Sequence, residues 1–168
     1  MPKHTETPHG VKAIKKPVLR HTKGLHGIEM SGGIASIGKF LALDWRYYFS
    51  PGWQIKLGLA VEWKKRPSAF YQNLFTQPVL GYTLLSNERN GYLSILGGTT
   101  LAYGRYQEQR QHQEQAHLNV GLVLGGELAL FIANRLELLL GAAPRIFFLK
   151  DPYNRIDYYL NIGIRITC

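Results

Sequence analysis

The chain has 168 residues, 45% of them hydrophobic and 18% charged, which excludes a disordered chain and suits one domain with a sizeable interior. No window approaches the ~18 unbroken apolar residues of a membrane-spanning helix, and the single cysteine, Cys168, excludes an internal disulfide and a cysteine-based metal site. The net charge of +9 is unevenly placed, with six basic side chains against Glu6 alone in residues 1–24.

Those first 24 residues carry Pro2, Pro8, Pro17, His4, His9 and His21 and show no apolar periodicity. They read as a basic, disordered extension ahead of a β-barrel domain at 25–168. A solvated tail is the plain interpretation; contact with acidic lipid or nucleic acid is the functional one, and no direct nucleic-acid binding is expected. As written the segment is not a secretory signal, because no run of roughly 7–15 apolar residues follows its charges.

From Gly27 onward the chain resolves into strands. The first, about 27–35, turns Ile28, Met30, Gly32 and Ile34 one way and Glu29, Ser31 and Gly33 the other. The second, about 40–49, sets Leu41, Leu43, Trp45, Tyr47 and Phe49 against Ala42, Asp44, Arg46 and Tyr48. Ser50-Pro51-Gly52 is a turn, across which Phe49 and Trp53 are expected to pair.

The third strand, Trp53 to Trp63, is the clearest. Every odd position is large and apolar and every even one polar or small (Gln54, Lys56, Gly58, Ala60, Glu62). It exceeds the usual length of about 5–6 residues and matches the roughly 9–11 residues a tilted strand needs to cross a bilayer.

The fourth strand, about 70–85, places Leu74, Pro78, Leu80, Tyr82 and Leu84 outward, and the fifth, about 91–105, places Leu93, Ile95, Leu101 and Tyr103 outward. A glutamine-rich loop, about 106–116, follows. The sixth strand, about 117–132, opposes Leu118 to Leu130 with Asn119, Gly121, Gly125 and Glu127; the seventh, to Leu149, opposes Leu136, Leu138, Leu140 and Ile146 with Glu137, Gly141 and Arg145. The last, Asp157 to Cys168, sets Tyr158, Leu160, Ile162, Ile164 and Ile166 against Tyr159, Asn161, Gly163, Arg165 and Thr167.

Eight consecutive strands with short turns on one rim and longer loops on the other predict an all-β, eight-stranded up-and-down antiparallel barrel of the outer-membrane type. Pro78 and Pro144, which cannot donate to a ladder, are expected at bulges. Trp45, Tyr47, Phe49, Trp53, Trp63, Tyr82, Tyr92 and Tyr158 are expected to face lipid as aromatic girdles.

The second face is glycine-rich with isolated charges, which fits a tight lumen better than a solvated surface. Glu29, Glu62, Glu127, Glu137, Arg145 and Arg165 are expected to form a lumen charge network, since an unpaired buried charge is costly. Barrel closure predicts Arg165 between Glu29 and Glu137, with Arg145 and Glu62 nearer the other end. A salt-bridged plug is expected rather than a channel.

No catalytic constellation and no cofactor site emerge: His112 and His117 have no fixed spacing to Ser94 or Asp44, and with Glu114 they form at most a loose metal set. Lys64-Lys65-Arg66 reads as a basic loop able to meet lipopolysaccharide phosphates or simply water.

The run Gly27-Ile28-Glu29-Met30-Ser31-Gly32-Gly33, the strand Trp53 to Trp63 leading into Lys64, Leu96-Gly97-Gly98 before Tyr103-Gly104, and Gly125-Gly126-Glu127 before Asn134-Arg135 resemble the TraO family of Bacteroides-type conjugative-transposon proteins. The resemblance covers about residues 24–167. It implies a non-enzymatic outer-membrane component of a conjugative DNA-transfer apparatus in a Gram-negative, Bacteroidota-type bacterium. Outer-membrane lipid and other subunits of a transfer complex would be its partners. The alternatives are a small OmpX-like barrel unrelated to conjugation and a soluble lipocalin-like lipid-binding barrel.

Overall fold

In the computed structural model, residues 21–36, 38–66, 69–87, 90–108, 113–149 and 156–168 are described. They form β1 (His26–Ala35), β2 (Lys39–Ser50), β3 (Trp53–Arg66), β4 (Ala69–Ser86), β5 (Gly91–Glu108), β6 (Gln113–Phe131), β7 (Leu136–Phe147) and β8 (Ile156–Thr167). Each strand pairs antiparallel with the next, and β8 closes on β1. There is no helix among the described residues. The eight-stranded antiparallel barrel expected from the strand pattern is the fold observed.

Strand parity sorts the side chains. Along β1 the alternation runs between exposed Ile28 and Met30 and buried Glu29 and Ser31, and along β8 between exposed Ile164 and Ile166 and buried Arg165 and Thr167. This inverts a water-soluble protein: leucines, isoleucines and tryptophans lie outside while carboxylates and guanidinium groups are buried inside. A lipocalin-like barrel requires the opposite arrangement, so that alternative is overturned.

The strands are steeply staggered. From Gly27, registered partners lead through Arg46, Lys56, Val79, Gly98, Val123 and Arg145 to Asp157, whose carboxylate accepts from the backbone N–H of Ser36 at 3.1 Å, beyond the far end of β1. One circuit of the barrel therefore climbs the whole of β1, as closure of a tilted sheet demands.

The two rims differ in a way the sequence pattern misplaced. The connections on the rim that holds the termini lie at 51–52, 87–90 and 132–135. On the far rim, β3 and β4 pair out to Arg66↔Ala69, and β5 and β6 out to Glu108↔Gln113. Lys64-Lys65-Arg66 and most of the glutamine-rich stretch are thus strand, not loop. Loss of apolar alternation marks where the greasy outer surface ends; the backbone ladder continues wherever a neighbour supplies partners.

Proline and bulge positions also depart from expectation. Pro78 stands in register opposite Leu57, and the β4–β5 ladder skips from Thr76↔Leu101 to Val79↔Gly98 without a shift. The opposite strand absorbs the proline because Gly98 leaves room: a Cβ there would sit 2.2 Å from the Pro78 carbonyl oxygen. Pro144 likewise keeps register opposite Tyr158. The irregularities fall instead near the termini rim, between Tyr48 and Ser50 and between Thr83 and Leu85. As a result Trp53 pairs with Ser50, while the bulged Phe49 packs beside Trp53 at 6.5 Å between ring centroids.

Candidate functional site: the lumen plug and the apolar belt

Inward parity delivers ionisable side chains from β1, β2, β3, β6, β7 and β8 into the lumen, where they form two layers. In the layer nearer the termini, Arg165 donates from Nη1 to Glu137 at 2.7 Å and from Nη2 to Glu127 at 2.6 Å and Glu29 at 3.2 Å. It lies in register between Glu29 on β1 and Glu137 on β7. Arg46 donates to both Glu127 oxygens, at 2.7 and 2.6 Å, and to Glu29 at 2.9 Å. Lys56 reaches Glu29 at 2.7 Å and Asp44 at 3.2 Å. Three cations and four carboxylates tie six strands together, each engaged by at least one group of opposite charge.

The far layer is sparser. Arg145 donates to Glu62 at 3.0 Å and to Asp157, while its guanidinium stacks over Phe75 at 4.2 Å and Tyr159 at 5.2 Å. Asp157 carries the same parity as Arg165, a signal the strand pattern held but the expected network left out. Between the layers a cavity of about 20 Å³ is lined by Asp44, Lys56, Arg145 and Tyr159. It has room for roughly one water; the lumen is a plug.

The termini mouth holds an unexpected stopper. His21, assigned by its sequence to the disordered extension, is buried, with its ring 4.6 Å from Tyr48, 4.0 Å from Tyr92 and 5.5 Å from Phe131. Its Nε2 lies 3.1 Å from a Glu137 oxygen. Gly24 makes this possible: its left-handed φ of 91° folds the chain over the rim, and its N–H donates to the Tyr48 carbonyl at 2.7 Å. Burial holds the His21 imidazole below its ordinary value of 6.5, against the pull of Glu137. The rest of the expected extension, residues 1–20, lies outside the described residues.

Outside, Trp45, Phe49, Trp53, Tyr82 and Tyr158 are exposed and Tyr47 and Trp63 half-buried. Tyr92, expected among them, instead points inward, because on β5 it shares parity with buried Ser94. From Trp53 to Trp63 β3 rises about 33 Å at ~3.3 Å per residue, or about 25 Å of height at a tilt near 40°. That is the height of the apolar band of transmembrane barrels.

The fold is that of the small outer-membrane barrels. The chain is similar to the N-terminal β-barrel domain of Pseudomonas aeruginosa OprF, with a TM-score of 0.69 at 9% identity over 87% of this chain and 98% of that one. A major outer membrane protein of Thermus thermophilus gives 0.68 at 13% identity over 86% and 99%. Ail, the attachment invasion locus protein of Yersinia pestis, solved with the heparin analogue sucrose octasulfate, gives 0.61 at 12% over 88% and 100%. No protein-family model matches the chain, and no curated protein matches it.

The remaining sequence candidates fall apart in space. Ser94 faces the lumen, its hydroxyl 3.3 Å from that of Thr83, and Asp44 is engaged by Lys56. His117 lies on β6 with its ring 6.3 Å from Tyr71; His112 falls outside the described residues, and nothing of the Glu114 side chain is described. Among the described residues no three His, Cys, Asp or Glu side chains converge on a metal position.

Proposed function

We propose that the protein is a non-enzymatic barrel of the outer membrane of a Gram-negative, Bacteroidota-type bacterium, acting as a structural and interaction subunit rather than a pore. One observation carries this: apolar side chains cover the outside over the height of a bilayer core while a salt-bridged plug fills the inside. The partners are outer-membrane lipid and other envelope proteins, with no cofactor. The resemblance of Gly27 to Gly33, Trp53 to Trp63 and Gly125 to Glu127 to the TraO family supports a place in a conjugative DNA-transfer apparatus.

The membrane reading is tested by fractionation and by a heat-modifiable gel band. Recovery with the outer membrane and a band shift on boiling support it; a detergent-free aqueous monomer overturns it. In planar bilayers the plug predicts no steady conductance. The conjugative role is tested by deleting the gene from a mobile element that carries it: transfer frequency collapses if the barrel is a transfer subunit and is unchanged if it is an unrelated OmpX-like barrel.

A further inference from the structure

The cup that His21 fills is built by four strands: Tyr48 on β2, Tyr92 on β5, Phe131 on β6 and Glu137 on β7. All four side chains are buried, and Tyr92 and Phe131 belong to one apolar cluster with Ala129 and Leu139. The imidazole lies 22° from parallel to the Tyr48 ring and 36° from parallel to Tyr92, at 4.6 and 4.0 Å between centroids. Aromatic faces that stack a flat ring, with a carboxylate among them, are the chemistry that holds a planar organic cation.

His21 is an imperfect occupant of that cup. Its Nδ1 is buried without a hydrogen-bond partner among the described residues, and so is Oε1 of Glu137. Each unmade buried bond costs free energy. The adjoining layer also carries four carboxylates, Glu29, Asp44, Glu127 and Glu137, against Arg46, Lys56 and Arg165 among the described residues. An imidazole that titrates below 6.5 does not supply the fourth positive charge at neutral pH.

The cup is also reachable. A hollow of about 210 Å³ adjoins the seated ring, lined by His21, Tyr92, Thr83 and Gly52 and rimmed by exposed Thr22, Pro51 and Ser86. Its volume exceeds the ~150 Å³ that accommodates a benzene in a protein interior. Lifting His21 leaves the barrel ladder intact, because β1 begins at His26 and the chain is pinned at Gly24, whose N–H donates to the Tyr48 carbonyl. Thr22, Lys23 and Gly24 between ring and pin are exposed.

Resting on the interaction role proposed above, we propose that this socket receives an arginine side chain of a partner protein at the termini rim, with His21 as its placeholder. The guanidinium stacks on Tyr48 and Tyr92 as the imidazole does, and its fork of donors serves the Glu137 oxygen that His21 leaves unbonded. It also brings the fourth cation to the layer. Lysine offers the charge without a plane to stack. His21, being tethered, competes at a roughly millimolar effective concentration. Free arginine is therefore held off, while a partner that adds further contacts displaces the ring.

The test uses the full chain folded in neutral detergent, titrated calorimetrically with N-acetylarginine amide or its neutral, equally shaped counterpart N-acetylcitrulline amide. The His21→Ala chain is expected to bind the arginine probe about tenfold more tightly than the unaltered chain, as loss of a tethered competitor provides. It is expected to prefer arginine to citrulline by about tenfold, the worth of one charge-assisted contact. Adding Glu137→Gln removes that preference. Adding Tyr92→Leu instead weakens both probes, and decides the matter where the Glu137 change disturbs folding. No binding by the His21→Ala chain, no gain over the unaltered chain, equal binding of the two probes, a preference that survives Glu137→Gln, or binding untouched by Tyr92→Leu overturns the proposal. A barrel that fractionates with the outer membrane yet fails these titrations refutes the socket alone; one that passes them but is an aqueous monomer without detergent refutes the membrane reading and keeps the socket.

Discussion

The two layers of the lumen solve one problem in different ways. Near the termini, Arg46, Lys56 and Arg165 are shared among Glu29, Asp44, Glu127 and Glu137, so the charges are cross-linked between different strands. Toward the far rim, among the described residues, Arg145 faces Glu62 and Asp157 and leans on the faces of Phe75 and Tyr159. Redundant ion pairing stiffens the first layer; aromatic packing around the Arg145 guanidinium holds the second. The difference teaches that a narrow barrel can bury charge either by crowding opposite charges together or by wrapping one cation in π-faces.

The sharpest way to break the comparison is Arg165→Met. It takes the arginine from Glu137 and one of the shared cations from Glu29 and Glu127, and the loss expected is about 3–5 kcal/mol of unfolding free energy in urea titrations of the bilayer-embedded barrel. Arg145→Met is expected to cost less, about 2–3 kcal/mol, because methionine keeps a contact with Phe75 and Tyr159. Adding Glu62→Gln to Arg145→Met should recover part of that loss, and the double-mutant cycle measures the coupling. Equal costs for the two arginines would erase the distinction between the layers.

His21 sharpens it through pH. Its folded imidazole titrates below 6.5, so the unfolded chain takes up the proton first. Its contribution is complete above about pH 6.5 and is lost as pH falls toward the lowered folded value. His21→Ala should cost about 1 kcal/mol at pH 7.5 and less at pH 5, with the difference between the two chains isolating His21 from Glu137, Arg165 and Arg46 around it. The smallest effect belongs to Lys64→Gln, outside both layers near the far rim, expected to move stability by no more than about 0.5 kcal/mol.

Much of the barrel was legible along the chain because a strand's period of two is local: every residue from Trp53 to Trp63 reports its own face. Parity also set apart the face that carries Glu29, Glu127, Glu137 and Arg165, but the expected network left out Arg46, Lys56, Asp44 and Asp157, which join it in the structure. Strand ends were less legible, since Lys64 to Arg66 and the glutamines after Tyr106 look like loop once apolar alternation stops. Tyr92 was misread by its nearness to a strand end, which says nothing about which way it points.

What the amino-acid order determined by itself was the strand count, the two faces and the chemistry of each, all consequences of side chains alternating about an extended backbone. Only the closed, tilted cylinder decided which charges meet across the lumen: Arg46 with Glu127 and Arg145 with Glu62 are 81 and 83 residues apart in the chain. Their encounter depends on stagger accumulated over every strand pair. The same holds for His21, a single residue with no periodic neighbours, brought into the mouth by one left-handed glycine.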